Sequence, residues 1–266
     1  MNNRLTQKIK EAKKKKAKLF CAYVTLGFPN LSTTEALIPA LEKAGTDILE
    51  LGFPFSDPLA DGPTIQHASE QAIKRGVRLK DAFQMIKKLR RKGLKIPVLF
   101  FTYLNPIMHY GVSQAVRQLK QSGFDGLIVP DLPPEEGRMW EPWFRRSDLS
   151  MVYLIAPTTG NARMREIAKR SNGFVYYVSL RGVTGARNSM PPDLVQKLKE
   201  VKKATEKPVL VGFGVSHKSQ ARAISRVADG IIVGSAIVKQ LGSGRKAVKP
   251  AASFVSGLVR SLQQSS

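Results

Sequence analysis

Short apolar runs, each followed by a stretch of helical periodicity, recur eight times along the chain, and that alternation restricts the fold more than any other feature. The runs are Leu19 to Leu26, Ile48 to Phe53, Pro97 to Tyr103, Gly126 to Pro130, Met151 to Pro157, Phe174 to Ser179, Pro208 to Phe213 and Gly230 to Ser235. They are rich in Val, Ile, Leu and aromatic residues and are bounded by Gly, Pro or polar residues, as strands are. Polar residues do not alternate within them, which predicts strands covered on both faces. Between them lie amphipathic stretches such as Glu35 to Lys43, with Leu37, Ile38 and Leu41 on one face, and Leu79 to Lys92, with Phe83, Ile86 and Leu89. Eight such units predict an α/β fold, a single-domain (β/α)8 barrel over residues 1–266, with an open doubly wound sheet as the alternative. No linker divides the chain. A basic N-terminal segment, 1–18, and a small-residue, basic tail from about 242 flank the units. The parts expected to be least ordered are the lysine-rich start, the glycine-rich segment 181–192 and the small-residue stretch around 243–249.

The longest apolar runs, such as Ile96 to Tyr103, fall far short of the roughly 20 residues a membrane span needs. The lysines before Leu19 are followed by no small-residue cleavage site, so no signal peptide is expected. A single cysteine, Cys21, excludes an internal disulfide and suits a reducing cytoplasm. The net charge of +23 predicts attraction to polyanions and phosphorylated small molecules. Its lysines are spread over helical faces rather than interleaved with aromatics, which describes a solvated surface and not a nucleic-acid groove.

One strand carries an acid. Glu50 interrupts the apolar run Ile48, Leu49, Leu51, where an unpaired carboxylate costs several kcal/mol or takes up a proton. A second acid, Asp61, follows in a loop stiffened by Pro54, Pro58, Gly62 and Pro63, so it stays near the strand end. In a barrel the chemistry sits at the carboxyl ends of the strands. Here those ends are mostly apolar or aromatic, which predicts a greasy pocket with few charges. Gly212-Phe213-Gly214 and Gly234-Ser235 follow the seventh and eighth strands, where barrels commonly bind phosphate through backbone N–H groups and a helix start. Arg181-Gly182-Val183-Thr184-Gly185-Ala186-Arg187 has the composition of an active-site lid.

Absences narrow the chemistry. No lysine lies in a strand or at its end, which disfavours a Schiff-base aldolase. His67, His109 and His217 are isolated from one another, so no metal site is expected. Acid-base chemistry by Glu50 and Asp61 remains.

The run Leu49-Glu50-Leu51-Gly52-Phe53-Pro54-Phe55-Ser56-Asp57-Pro58-Leu59-Ala60-Asp61-Gly62-Pro63-Thr64 resembles the signature of the tryptophan synthase alpha chain family. The resemblance extends from Tyr23-Val24-Thr25-Leu26-Gly27 through Gly234-Ser235-Ala236-Ile237-Val238-Lys239. It implies retro-aldol cleavage of indole-3-glycerol phosphate to indole and glyceraldehyde 3-phosphate, with Glu50 transferring protons and Asp61 stabilising positive charge at the indole nitrogen. It further implies phosphate binding by Gly185, Gly214, Gly234 and Ser235, and a lid in which Thr184, between Arg181 and Arg187, meets Asp61. Ring-lining positions fall on Phe101, Ile128, Ile155 and Tyr176, and Tyr23, Tyr103 and Phe213 join them as pocket candidates. Loops bearing Asp57, Pro58, Asn105, Asp131 and Pro133 are expected to face a beta chain in an αββα complex. That partner carries pyridoxal phosphate and receives the indole, and the alpha chain holds no cofactor of its own. Two other functions fit the residues: a different phosphate-binding barrel enzyme, such as a sugar-phosphate isomerase, and a catalytically silent barrel that activates its partner or binds polyanions.

Overall fold

The computed structural model describes residues 2–178, 192–212 and 214–264. Nine parallel strands form one sheet in these residues: β1 (Leu19–Thr25), β2 (Ile48–Gly52), β3 (Val98–Phe101), β4 (Gly126–Ile128), β5 (Ser150–Val152), β6 (Leu154–Ile155), β7 (Val175–Val178), β8 (Val209–Gly212) and β9 (Gly230–Val233). Their order, β5-β4-β3-β2-β1-β9-β8-β7-β6, leaves β5 and β6 at the two ends. Those two strands are consecutive in the chain, separated only by Tyr153, so the sheet closes on itself through that residue. The fifth expected strand is therefore two short pieces. The Tyr153 N–H donates to the Ser171 hydroxyl at 2.9 Å instead of to a neighbouring strand, while its carbonyl accepts from Tyr176 N–H at 3.3 Å. The closed ring excludes the open doubly wound sheet.

Closure sorts the strand residues into two layers. Cys21, Tyr23, Ile48, Leu99, Phe101, Ile128, Val152, Tyr176, Leu210 and Ile232 pack inside the barrel. Their neighbours, among them Phe20, Ala22, Leu49, Leu51, Phe100, Leu127 and Ile231, pack outward beneath the helices. Both layers are apolar, which is why the sequence shows no alternation although side chains alternate in space.

The lysine-rich start is helical, and the stretch 243–249 falls in the 3₁₀ helix Leu241–Ala247 and the start of the last α-helix. The helix Arg4–Lys15 starts at Asn3, whose side chain accepts from Thr6 N–H at 3.0 Å. Its Leu5 is fully buried with Leu19 and Phe174, at the amino ends of the strands. Asn3 Nδ2 also donates to the carbonyls of Asp125 and Asp148, both at 3.0 Å, fastening the helix across that mouth. At the other end of the chain, the helix Val248–Gln263 buries Ala251, Val255, Leu258 and Leu262, one stripe of its surface. The Gln263 side chain clasps the backbone of Lys18, donating at 2.6 Å and accepting at 3.1 Å. Lysine content misleads here because lysine is a good helix former, and a few apolar residues at helical spacing suffice to dock the segment.

Candidate active site

Glu50 occupies the inner face of β2, in register with Tyr23 of β1 and Leu99 of β3, and is fully buried. One carboxyl oxygen, Oε1, accepts a hydrogen bond from the Cys21 thiol at 3.4 Å. The other, Oε2, is buried without a hydrogen-bond partner among the described residues. Burial pushes the carboxyl up to about 8, the thiol opposes this, and the charge of Asp61 adds to it. Glu50 is therefore a neutral acid at pH 7.

Asp61 is held by its loop. Its N–H donates to the Pro58 carbonyl at 2.9 Å, and the helix Pro63–Lys74 begins directly after it, with Pro63 in the first turn. The Tyr103 hydroxyl donates to Asp61 Oδ2 at 3.0 Å while accepting from Ala60 N–H at 3.0 Å. Burial raises Asp61 to about 6, against the lowering effect of the Tyr103 bond. At pH 7 this acid is mainly ionised. The Tyr103 ring stacks on Phe55 with centroids 5.3 Å apart, which fixes its hydroxyl beneath the loop.

A cavity of about 150 Å³ opens at the carboxyl ends of the strands, lined by Tyr23, Asp61, Phe101, Leu154, Tyr176, Gly214, Ile232, Gly234 and Ser235, among others. Glu50 is not on its wall but lies close to it. Tyr23 and Tyr176 both line the cavity, and each phenol is pushed well above its ordinary value, first by burial and then by the charges of both Asp61 and Glu50. Both acids are therefore near enough to act on the same two phenols.

Glycine creates the room for these tyrosines. A Cβ on Gly52 would stand 2.1 Å from the Tyr23 hydroxyl oxygen, and one on Gly212 would stand 2.8 Å from the Tyr176 ring. Gly52→Ala is expected to evict the Tyr23 ring, destabilise the protein by about 1–3 kcal/mol and lower catalytic activity. In combination with Tyr23→Val the alanine should add little further loss. Melting curves and kcat/KM for the single and double variants check this, and an unaltered Gly52→Ala protein would refute the steric argument.

Of the residues expected at the site, Tyr23, Asp61, Phe101, Tyr176, Gly214, Gly234 and Ser235 lie on the cavity wall. Tyr103 touches it through Asp61, and Ile128 is in the barrel interior beside the lining residues. Ile155 is placed differently: it packs in the outer layer, and Leu154 takes the position on the wall. Side-chain parity runs unbroken through Met151, Val152, Tyr153, Leu154 and Ile155, so the even-numbered residues point inward. The same parity counted back from Gly234 would have found Ile232, which the sequence did not single out. Arg181, Thr184, Gly185, Arg187 and Phe213 lie outside the described residues. Asp57, Asn105 and Asp131 are exposed, and Pro58 and Pro133 half-buried, on the segments after β2, β3 and β4, Asn105 in the helix Leu104–Tyr110. Asp131 ties two of these segments together, its Oδ1 accepting from Leu104 N–H at 2.9 Å.

A closed parallel barrel with two carboxyl groups raised by burial at its carboxyl-terminal mouth defines a class, the (β/α)8 enzymes that run acid-base chemistry among their strand ends. Within it the chain belongs to the tryptophan synthase alpha chain family, whose family model matches residues 9–265. It is 47% identical over 227 residues to the tryptophan synthase alpha chain of Halalkalibacterium halodurans, a match covering 85% of each chain. It is 42% identical to that of Aquifex aeolicus, covering 98% of this chain and 99% of the relative. The crystal structure of tryptophan synthase subunit alpha from Legionella pneumophila superposes with a TM-score of 0.91 at 32% identity, over 99% of this chain and 100% of that one.

Proposed function

We propose that Glu50 and Asp61 perform the family's reaction in this chain, the cleavage of indole-3-glycerol phosphate to indole and glyceraldehyde 3-phosphate. Protonated Glu50 delivers its proton to indole C3. The ring becomes an indoleninium, and its N–H finds the Asp61 carboxylate as counter-charge. The Glu50 carboxylate then takes the proton of the glycerol C3′ hydroxyl. As the aldehyde forms, the bond from C3 to C3′ breaks and its electron pair returns through the ring to nitrogen. Indole leaves, and Glu50 is again protonated.

What supports this assignment is the placement of the two acids, Asp61 on the cavity wall and Glu50 buried beside the wall residue Tyr23, with burial raising them to about 6 and about 8. Gly214, Gly234 and Ser235 at the rim, where the helix Ser235–Gln240 begins, give the substrate phosphate backbone N–H donors, with Gly185 as a further donor. Tyr23, Phe101, Leu154, Tyr176 and Ile232 supply a mostly apolar wall for the indole.

The assay is indole release from indole-3-glycerol phosphate, with and without a beta chain. The logarithm of kcat/KM should be bell-shaped in pH. Below about 6, Asp61 gains a proton and loses the charge that stabilises the ring cation; above about 8, Glu50 loses the proton it must donate. A profile without limbs between pH 5 and 9 would remove both roles.

The same mouth suits a protein partner. Leu59, Met108 and Met139, on the segments after β2, β3 and β4, are 90%, 56% and 71% exposed. With the exposed Asp57, Asn105 and Asp131 and with Pro58 and Pro133, these apolar side chains supply a surface for a beta chain in an αββα assembly. Pyridoxal phosphate belongs to that partner, and this chain works without a cofactor. Among the described residues no helix is long and apolar enough to cross a membrane. The single buried cysteine accords with a cytoplasmic enzyme.

A further inference from the structure

We propose that the Cys21 thiol is a positioning residue for the catalytic acid, holding one oxygen of Glu50 so that the other is the one presented to the substrate. This rests on the role assigned to Glu50 above. Cys21 sits on β1 two residues before Tyr23, on the same inward face, and is fully buried. Its Sγ donates to Glu50 Oε1 at 3.4 Å, the only hydrogen bond to that carboxyl among the described residues, and Oε2 is left without one. In an apolar barrel nothing else decides which of the two oxygens of neutral Glu50 carries its proton. A donor on one oxygen breaks the equivalence.

The thiol also follows the proton. When Glu50 has protonated indole C3, its carboxylate must exist for a moment in a buried place, and the S–H group donates to that charge. The remaining polar groups near Glu50 do the reverse or nothing: the charge of Asp61, from the loop after β2, works against the carboxylate, and the phenols of Tyr23 on β1 and Tyr176 on β7 stay neutral because of their own burial. Leu99, opposite Glu50 on β3, is apolar. Burial above all keeps the thiol protonated, helped by Glu50 itself and then by the charge of Asp47, just before β2.

The experiment compares Cys21→Ala with Cys21→Ser. Both are smaller than cysteine and fit the space, and they differ only in the hydroxyl donor. In Cys21→Ala the alkaline limb of the kcat/KM profile should move to higher pH by about half a unit or more, and kcat at pH 7 should fall roughly three- to tenfold with KM little changed. Cys21→Ser should return the limb to the parent position or below it and recover most of kcat. Alkaline limbs that coincide in the alanine, serine and parent proteins, with equal loss of kcat in both variants, would overturn the proposal and leave Cys21 as packing alone. Glu50→Gln, assayed alongside, separates the two ideas: activity retained in that variant refutes the role of Glu50 itself, whereas an inactive Glu50→Gln with unmoved limbs at Cys21 refutes only the positioning role.

Discussion

Replacing Glu50 with glutamine is expected to abolish indole release, lowering kcat by about 10³-fold or more, while making the folded protein more resistant to heat in alkaline buffer. The first effect follows because glutamine keeps the shape of the side chain but cannot give or take the proton. The second follows from linkage. Between about 4.5 and about 8 the folded protein holds a proton on Glu50 that the unfolded chain has lost, so stability falls as pH rises through that window and levels off above it. A shift of this size corresponds to a penalty on the order of 3–5 kcal/mol, which glutamine does not incur. Parent and variant should melt together near pH 4, and the variant several degrees higher at pH 9. A Glu50→Gln protein with cleavage within tenfold of the parent would end the catalytic assignment; one with an unchanged melting difference across pH would end the claim that this acid is buried at a cost. Catalysis and stability thus pull in opposite directions at one residue.

The largest effect on stability is expected at the opposite mouth, from Asp125→Ala. Asp125 is 1% exposed, and its carboxylate accepts from Arg90 Nη2 at 2.8 Å, Arg4 Nη1 at 3.1 Å and Val98 N–H at 2.9 Å. Arg90 spends its other donors on the carbonyls of Gly123, Leu94 and Ile96, at 2.9, 2.8 and 2.7 Å. Burial already lowers its guanidinium to about 10, with the charge of Asp125 as the main opposing influence. Removing the carboxylate strands that cation and the Val98 N–H together, a loss of about 3–5 kcal/mol. For a chain of this length that is on the order of 10 °C in the melting temperature. Asp125→Asn, which keeps an acceptor for Val98, should lose less. Denaturant titration of both variants measures the difference, and a loss below about 1 kcal/mol in the alanine protein would show the cluster to be unimportant.

Much of the architecture was legible because it depends on local pattern. Eight apolar runs with helical stretches between them specify parallel strands whatever the details of packing, and the structure contains them all, with the fifth divided at Tyr153. Glu50 and Asp61 stood out for a similarly local reason: a carboxylate in an apolar run, and an acid in a loop too stiff to wander. The substrate wall was harder. Ile155 and Leu154 are equally apolar, and only the register of the closed sheet decides which one faces the cavity. Cys21 looked like a small core residue, which it is by burial, and nothing in its neighbours along the chain announces that its thiol meets a carboxyl 29 residues away.

By itself, the sequence determined the kinds of elements, their number and the two acids, since hydrophobic period, proline and glycine act over a few residues. The tertiary structure alone decided that the ring closes through Tyr153, that the lysine-rich start caps one mouth, and that one acid holds its proton at pH 7 while the other gives it up. Those outcomes depend on burial and on partners brought together from distant positions, and both come into being only when the chain has folded.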